Sequence, residues 1–385
     1  MSLKNIYNLS KIFEKADIGK IIINTPDGKQ LFFKGNKGHV SCDLTIKNWQ
    51  IIDLVAKRGD IGLGEAYHLD FWESSDVANF LTYCCLNINK MKKHVDGNFF
   101  NRIIFYFYNH LVRLNTKRGS KKNILAHYDI SNDFYRIWLD SSMTYSSAIR
   151  NNEQDSLHQA QLNKYHRIIN KLDLQGKNTL EIGCGWGGFA HEASNFGADV
   201  TGITISDKQY NFAKKRIGNK ANILLQDYRD VKGKYDRIVS IEMLEAVGEK
   251  YWQTYFNQIK KSLLSSGKAV IQTITIDDDF FAQYRKNSDY IRHHVFPGGM
   301  LPSKSKFCAN ANKARLHVNE IFEFGHDYAW TLRKWQDNIK NQKDKLLALN
   351  YSEEFLRAWD FYLSISIAGF LCGRTNVIQA EIFND

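Results

Sequence analysis

Proline is almost missing from this chain, with 3 among 385 residues, so Pro-rich low-complexity linkers are excluded. Long apolar runs are missing too. Ile365 to Cys372 is among the longest, far short of the roughly 18 residues a membrane span needs. The opening stretch, Met1 to Asp17, has no apolar h-region or cleavage site, and no signal peptide is expected. No internal period points to repeats. The cysteines at positions 42, 84, 85, 184, 308 and 372 show no C-x-x-C spacing. That argues against a structural zinc, and the expectation is a cytoplasmic protein with reduced thiols and no metal.

What remains is a globular composition: 43% hydrophobic and 13% aromatic residues, with enough length for two domains. Charge of one sign dominates. There are 52 Lys and Arg against 41 Asp and Glu, a formal +11. Such a surface suits a polyanionic partner, nucleic acid or an anionic lipid face, or serves solubility alone.

The most informative stretch is Thr179 to Ala190, TLEIGCGWGGFA. Apolar residues alternate as in a strand, then Gly183, Gly185, Gly187 and Gly188 allow a tight turn into a helix. A strand running through glycines into a helix brings bare backbone N–H groups up to a ligand. The G-x-G-x-x-G spacing also fits a dinucleotide fold, which expects an acid about 20 residues on, at the end of the second strand. Ala198 to Thr204 ends without one. Glu181 instead stands just before the first glycine, where a carboxylate can orient the loop or meet a cationic ligand. This pattern suits the sulfonium and amino group of S-adenosylmethionine better than a pyrophosphate.

Residues 1–95 read as a first, smaller α+β unit. Short β-like runs at 21–23, 31–33 and 43–46 precede a helix at 76–87. Residues 96–122 form an aromatic stretch and a basic linker, with Lys117, Arg118, Lys121 and Lys122 close together. This segment suits either a bilayer surface or a buried helix plus a solvated linker. Residues 123–385 carry the chemistry. Strands at 177–183, 198–204, 221–226, 235–241 and 268–274 alternate with helices at 187–196, 206–217 and 250–264. That rhythm gives a doubly wound, Rossmann-like α/β sheet of the class-I methyltransferase type, with ligands at the C-terminal strand ends. Thr204, Ser206 and Gln209 follow the second strand and can bond ribose oxygens, or cap the next helix. Gln226 and Asp227 follow the third, where Asp227 can accept from an adenine amino group or cap a turn. Glu242 to Glu245 follow the fourth, at the mouth of the sheet.

At this level of detail the chain resembles the cyclopropane-fatty-acyl-phospholipid synthases and their mycolic-acid relatives. The resemblance runs through GDIGLGEAY (59–67), HYDISNDFYRIWLDSSMTYSSA (127–148), LEIGCGWGG, TGITISDKQ, DYRDVKGKYDRIVSIEMLEAVG, RHHVFPGGMLPS and FGHDYAWTLRKW (324–335). It implies methyl transfer from S-adenosylmethionine to the cis double bond of an unsaturated phospholipid acyl chain, closing a cyclopropane ring. The N-terminal domain then becomes a lipid-binding type. The enzyme would sit peripherally on the inner face of the membrane, with no nucleic-acid partner and a possible homodimer. Tyr145 and Ser146 match cofactor-contacting positions, as do Gly183, Gly185, Thr204 and Gln209. The resemblance also implies a bound bicarbonate as the base, held by Glu245, Tyr328 and the amide of Ile274. Two of its ligand positions depart: Ser147 replaces Cys, and Gln272 replaces His. Ala246 departs nearby, where the family usually has His. These changes leave methyl transfer expected and ring closure open, against methylene- or methyl-branched products or an amine acceptor. Phe280, Phe281, Tyr284, Phe296 and Trp330 are candidates for the acyl channel or for ordinary core.

Overall fold

A computed structural model describes residues 2–95 and 130–384. The aromatic stretch, the basic linker and the 127–129 segment lie outside the described residues.

The chain forms two compact units. The first begins with α1 (Ser2–Phe13), β1 (Ile18–Asn24), β2 (Gln30–Lys34) and β3 (Lys37–Ile46). Then come α2 (Gln50–Arg58), α3 (Asp60–His68), β4 (Trp72–Glu73) and α4 (Val77–Val95). The four strands form one sheet in the order β2-β1-β3-β4. Period-two burial explains β1: Ile21 and Ile23 are buried on one face while Ile22 between them is exposed. Helix α4 starts where Asp76 accepts from the Asn79 amide at 3.0 Å.

The second unit carries α5 (Asn132–Trp138), α6 (Leu157–Leu172), β5 (Asn178–Ile182), α7 (Gly188–Asn195), β6 (Asp199–Thr204) and α8 (Asp207–Ile217). It continues with β7 (Asn222–Leu225), β8 (Tyr235–Ile241), α9 (Leu244–Val247), α10 (Trp252–Ser262), β9 (Leu263–Ile276) and α11 (Asp278–Lys286). After α12 (Lys304–Lys313), β10 (Leu316–Glu323) and α13 (Gly325–Asn341), helices α14 (Lys343–Ala348) and α15 (Glu353–Leu371) follow, and β11 (Thr375–Asn384) closes the chain. Lys286–Val295 and Lys343–Arg374 belong to the first unit, whereas the sequence places both in the catalytic domain.

The large sheet has the order β10-β11-β9-β8-β5-β6-β7. Strands β5 to β9 pair in parallel, and β10 and β11 are antiparallel additions. Leu180, Ile182, Ile238 and Ile271 turn one sheet face toward α10 and α12, while Val239 and Val270 turn the other toward α6, α7 and α8. Each such buried aliphatic side chain contributes about 1.5–3 kcal/mol. The chain leaves β5 outward to β6 and β7, then returns to β8 on its other side. That reversal opens a crevice at the C-terminal ends of β5 and β8, where ligands bind in sheets of this kind.

The expectation of six reduced thiols is corrected here. Cys85 of α4 and Cys372, 287 positions apart and both in the first unit, form a disulfide with Cα atoms 6.5 Å apart. Local spacing carries no mark of a pair so distant in sequence. The other four cysteines are free, and no helix among the described residues is long and apolar enough to cross a membrane.

Candidate active site

The glycine turn leaves β5 with Gly183, Gly185 and Gly187 all at positive φ, but their work differs. A Cβ on Gly187 would stand 2.6 Å from Ile217 Cδ1, and one on Gly188 2.7 Å from the Tyr165 hydroxyl. Those two glycines let α7 pack closely. A Cβ on Gly183 would meet Met243, just past β8, at 2.9 Å. Only Gly185 faces open space, with no described atom within 4 Å. Of the three positive-φ glycines, it is the one that presents bare backbone outward.

Glu181, at the base of the turn, is buried. Burial pushes its carboxyl up to about 8, opposed by the Ala190 amide and the Lys164 charge. Its Oε2 has no hydrogen-bond partner among the described residues. A bare backbone turn beside a buried carboxyl oxygen that lacks a partner fits a ligand whose ammonium group can donate to it.

The residues after β6 hold one another. Thr204 donates to Gln209 Oε1 at 3.0 Å, and Ser206 caps α8 by accepting from the Gln209 amide at 3.4 Å. Gln226 donates its amide to the Thr204 carbonyl at 2.9 Å, which ties the ends of β6 and β7 together. Asp227 accepts from the backbone amide, Nε and Nη2 of Arg229 at 2.9, 2.8 and 2.5 Å. The capping reading of Ser206 and Asp227 therefore describes contacts that exist. Tyr145 lies in an aromatic nest, its ring 5.2–5.6 Å from Tyr135, Trp138 and Trp335. Ser146 accepts from Lys164 Nζ at 2.7 Å. Lys164 is fully buried, and burial depresses its ammonium to about 7 against the pull of Glu242, Asp140 and Glu181.

The five positions assigned to an anion site do come together, around two glutamates. Glu245 accepts from the Ile274 amide at 2.5 Å, and its buried Oε2 has no hydrogen-bond partner among the described residues. Burial, with the charge of Glu242, pushes it up to about 8. The other three positions converge on Glu242, which the sequence places at the mouth of the sheet without a role in the anion site. The Ser147 amide and Gln272 Nε2 donate to its Oε1 at 2.8 and 2.7 Å, and the Tyr328 hydroxyl donates to its Oε2 at 2.6 Å. The Ser147 hydroxyl turns away, donating to the Ala148 carbonyl at 3.0 Å. Glu242 sits directly after β8 with φ +50°, left-handed for a residue with a Cβ. The signal that could have exposed it is the E-x-x-E spacing of Glu242 and Glu245 at the strand end.

The candidate channel aromatics divide. Phe281 is core, 6.3 Å from the Trp252 ring. Trp330 already stacks under the Arg150 guanidinium at 5.0 Å. Phe280 and Tyr284 are half-buried against the α10 side of the core. His293 and His294 belong to the first unit, where Glu65 lies 3.4 Å from His294 and Arg58 lies 3.2 Å from His293.

The seven-stranded sheet and its glycine turn define a class-I S-adenosylmethionine-dependent methyltransferase. A family model described as mycolic acid cyclopropane synthetase matches residues 115–380, and the chain belongs to that family. It is 33% identical to the cyclopropane-fatty-acyl-phospholipid synthase of Escherichia coli, over 86% of this chain and 85% of that one. It is 32% identical to a tuberculostearic acid methyltransferase of Mycobacterium tuberculosis, over 86% of this chain and 80% of that one. Among solved structures, the cyclopropane synthase MmaA2 from Mycobacterium tuberculosis superposes with a TM-score of 0.64 at 28% identity, covering 68% of this chain and 97% of that chain. Coclaurine N-methyltransferase, at 16% identity and a TM-score of 0.63, shares the fold alone.

Proposed function

We propose that this enzyme adds a methylene group from S-adenosylmethionine across the cis double bond of an unsaturated phospholipid acyl chain, giving a cyclopropane. The observation that carries the reading is the half-buried pair of carboxyl groups, Glu242 and Glu245, held at the switch point of the sheet beside the glycine turn. When bound, S-adenosylmethionine supplies an electrophilic methyl group. Gly185 would leave room for it along the backbone, with Tyr145, Ser146, Glu181, Thr204, Ser206, Gln209, Gln226 and Asp227 as the residues that would surround it; Gly183 and Gly187 act by letting the turn pack. An alkene is a weak nucleophile, and its attack places positive charge on the acyl chain. Buried carboxylates stabilise such charge far better than exposed ones, because little water screens them. Tyr328, Ser147 and Gln272 hold the Glu242 carboxyl in place, and Ile274 holds that of Glu245.

The bicarbonate that the resemblance implies does not fit these residues. Gln272, Tyr328 and the Ser147 amide are donors to Glu242, the Ile274 amide is a donor to Glu245, and a further anion would meet two carboxyl groups. No step is assigned to it.

The substrate face is proposed to be an anionic membrane surface, with peripheral attachment from the cytoplasm. The +11 charge supports this, and a lipid surface rather than nucleic acid is its natural partner for an acyl-chain reaction. A homodimer is part of the same proposal. A second reading, C-methylation without ring closure, is favoured by the likeness to the tuberculostearic acid methyltransferase and by Ser147 and Gln272.

The test is incubation of the pure protein with S-adenosylmethionine and vesicles of mixed unsaturated phospholipids, followed by mass spectrometry of the released acyl chains. A gain of one CH2 with the double bond lost supports cyclopropanation. The same gain with an olefin kept selects the second reading. No gain, with the cofactor bound, contradicts both.

A further inference from the structure

We propose that the Glu242 side chain occupies the anion position of this site and itself takes the proton from the transferred methyl group. The enzyme would then carry its base as part of the chain and need no bicarbonate. This rests on the acyl-chain reading above and goes beyond it by naming the base.

The geometry is specific. Three donors from three separate segments converge on one carboxylate: the Ser147 amide before α6, Gln272 on β9 and Tyr328 on α13. The Gln272 amide group is itself oriented. Its Oε1 accepts from Gln379 Nε2 at 3.0 Å, and Gln379 Oε1 accepts from Arg167 at 2.9 Å. That chain aims Nε2 of Gln272 at Glu242. The strained backbone at Glu242 is anchored as well, since its amide donates to the Gln272 carbonyl at 2.8 Å. Backbone held in a disfavoured region by surrounding contacts is a recurrent feature of reacting centres.

Of the two glutamates, Glu242 is the one suited to act as a base. Its pull on the buried Lys164 is the largest charge interaction opposing that lysine's desolvation. Burial pushes the Glu242 carboxyl up, while Tyr328, the Ser147 amide, Lys164 and Gln272 pull it back toward the charged form. Glu242 receives three donors, whereas Glu245 receives the Ile274 amide and its Oε2 has no hydrogen-bond partner among the described residues, so Glu245 is the less stabilised of the two as an anion. One carboxylate and one carboxylic acid side by side are the state such a pair adopts when both cannot ionise.

The step balances. The alkene electron pair forms a bond to the methyl carbon as the carbon–sulfur bond breaks, releasing S-adenosylhomocysteine and leaving a carbocation on the acyl chain. A C–H bond of the new methyl group then breaks. Its electron pair closes the ring, and the proton passes to the Glu242 carboxylate.

Two kinds of measurement test the assignment. In carbon-13 NMR with labelled bicarbonate, the wild type should bind none, whereas Glu242→Ala should bind it. Binding to the wild type would overturn the proposal. This arm needs no turnover, so it stands even if the acyl substrate has been misassigned. In turnover assays, wild-type rate should be indifferent to stripping and restoring bicarbonate. Glu242→Gln should lower turnover about a hundredfold or more, with S-adenosylmethionine affinity and melting temperature kept. Added formate or bicarbonate should restore Glu242→Ala about tenfold, as an exogenous base does in a vacated base position. A wild type that stops without bicarbonate, or a Glu242→Ala that turns over unaided, would overturn the proposal.

Discussion

At the scale of single residues, the site turns on a few contacts whose removal has a computable sign. Gly185 presents its backbone to open space at φ +53°. Gly185→Val should abolish S-adenosylmethionine binding in a calorimeter while the fold survives, and unchanged affinity would remove the turn from the cofactor site. Tyr328→Phe deletes a hydrogen bond to a carboxylate, worth about 1.5–3 kcal/mol. Turnover should fall about 10–100-fold with cofactor affinity unchanged. Glu181 gives a prediction in pH. Its folded-state value of about 8 lies above the ordinary 4.5, so the folded protein keeps a proton that the unfolded chain releases across that window. The stabilisation is complete below about 4.5 and is lost as pH rises to about 8. Glu181→Gln, which stays neutral, should show no such loss. Its melting temperature relative to wild type should therefore climb between about pH 5 and 8; a flat difference would contradict the buried neutral acid. The residues bearing this chemistry were unequally visible in the sequence. Glu245 and Tyr328 stand at positions the family resemblance marks. Glu242 does not, because what singles it out is convergence of residues 95, 30 and 86 positions away.

At the scale of elements, the sheet was legible because its strands obey a local rule. Buried and less buried positions alternate along β1, and apolar runs bounded by glycine or charge mark β5, β6 and β8. Helix α8 announces itself by its Ser206 cap. Strand β9 is longer than the 268–274 run that the sequence marks: it begins at Leu263 and runs to Ile276, and the polar Ser265-Ser266-Gly267 near its start looks like a turn in isolation. The turn glycines were legible as a group but not by task. Gly187→Ala forces a Cβ to within 2.6 Å of Ile217 and 3.1 Å of Ala213 at φ +81°. It should cost about 1–3 kcal/mol by denaturant unfolding. A neutral effect would mean that α7 and α8 can separate without loss.

At the scale of the whole molecule, the features least visible in sequence are those made by distant segments meeting. The Cys85–Cys372 pair and the return of α14 and α15 to the first unit both join parts of the chain far apart in order. Neither has a local signature, since composition and periodicity report only neighbours. Net charge, by contrast, is a property of the whole and is read directly. If it serves membrane attachment, the protein should sediment with anionic vesicles and not with neutral ones. The binding should weaken steeply as salt shortens the screening length below about 10 Å. Equal binding to both vesicle types would leave the charge without a lipid role.

The most direct test of the account is to supply S-adenosylmethionine with a fully deuterated methyl group together with unsaturated phospholipid vesicles. The mass and unsaturation of the product chains are then measured. Transfer followed by proton removal and ring closure predicts chains that retain two of the three deuterons and have lost the double bond. Chains that keep all three deuterons, or that remain unlabelled while the cofactor binds, would contradict methylene addition by this enzyme.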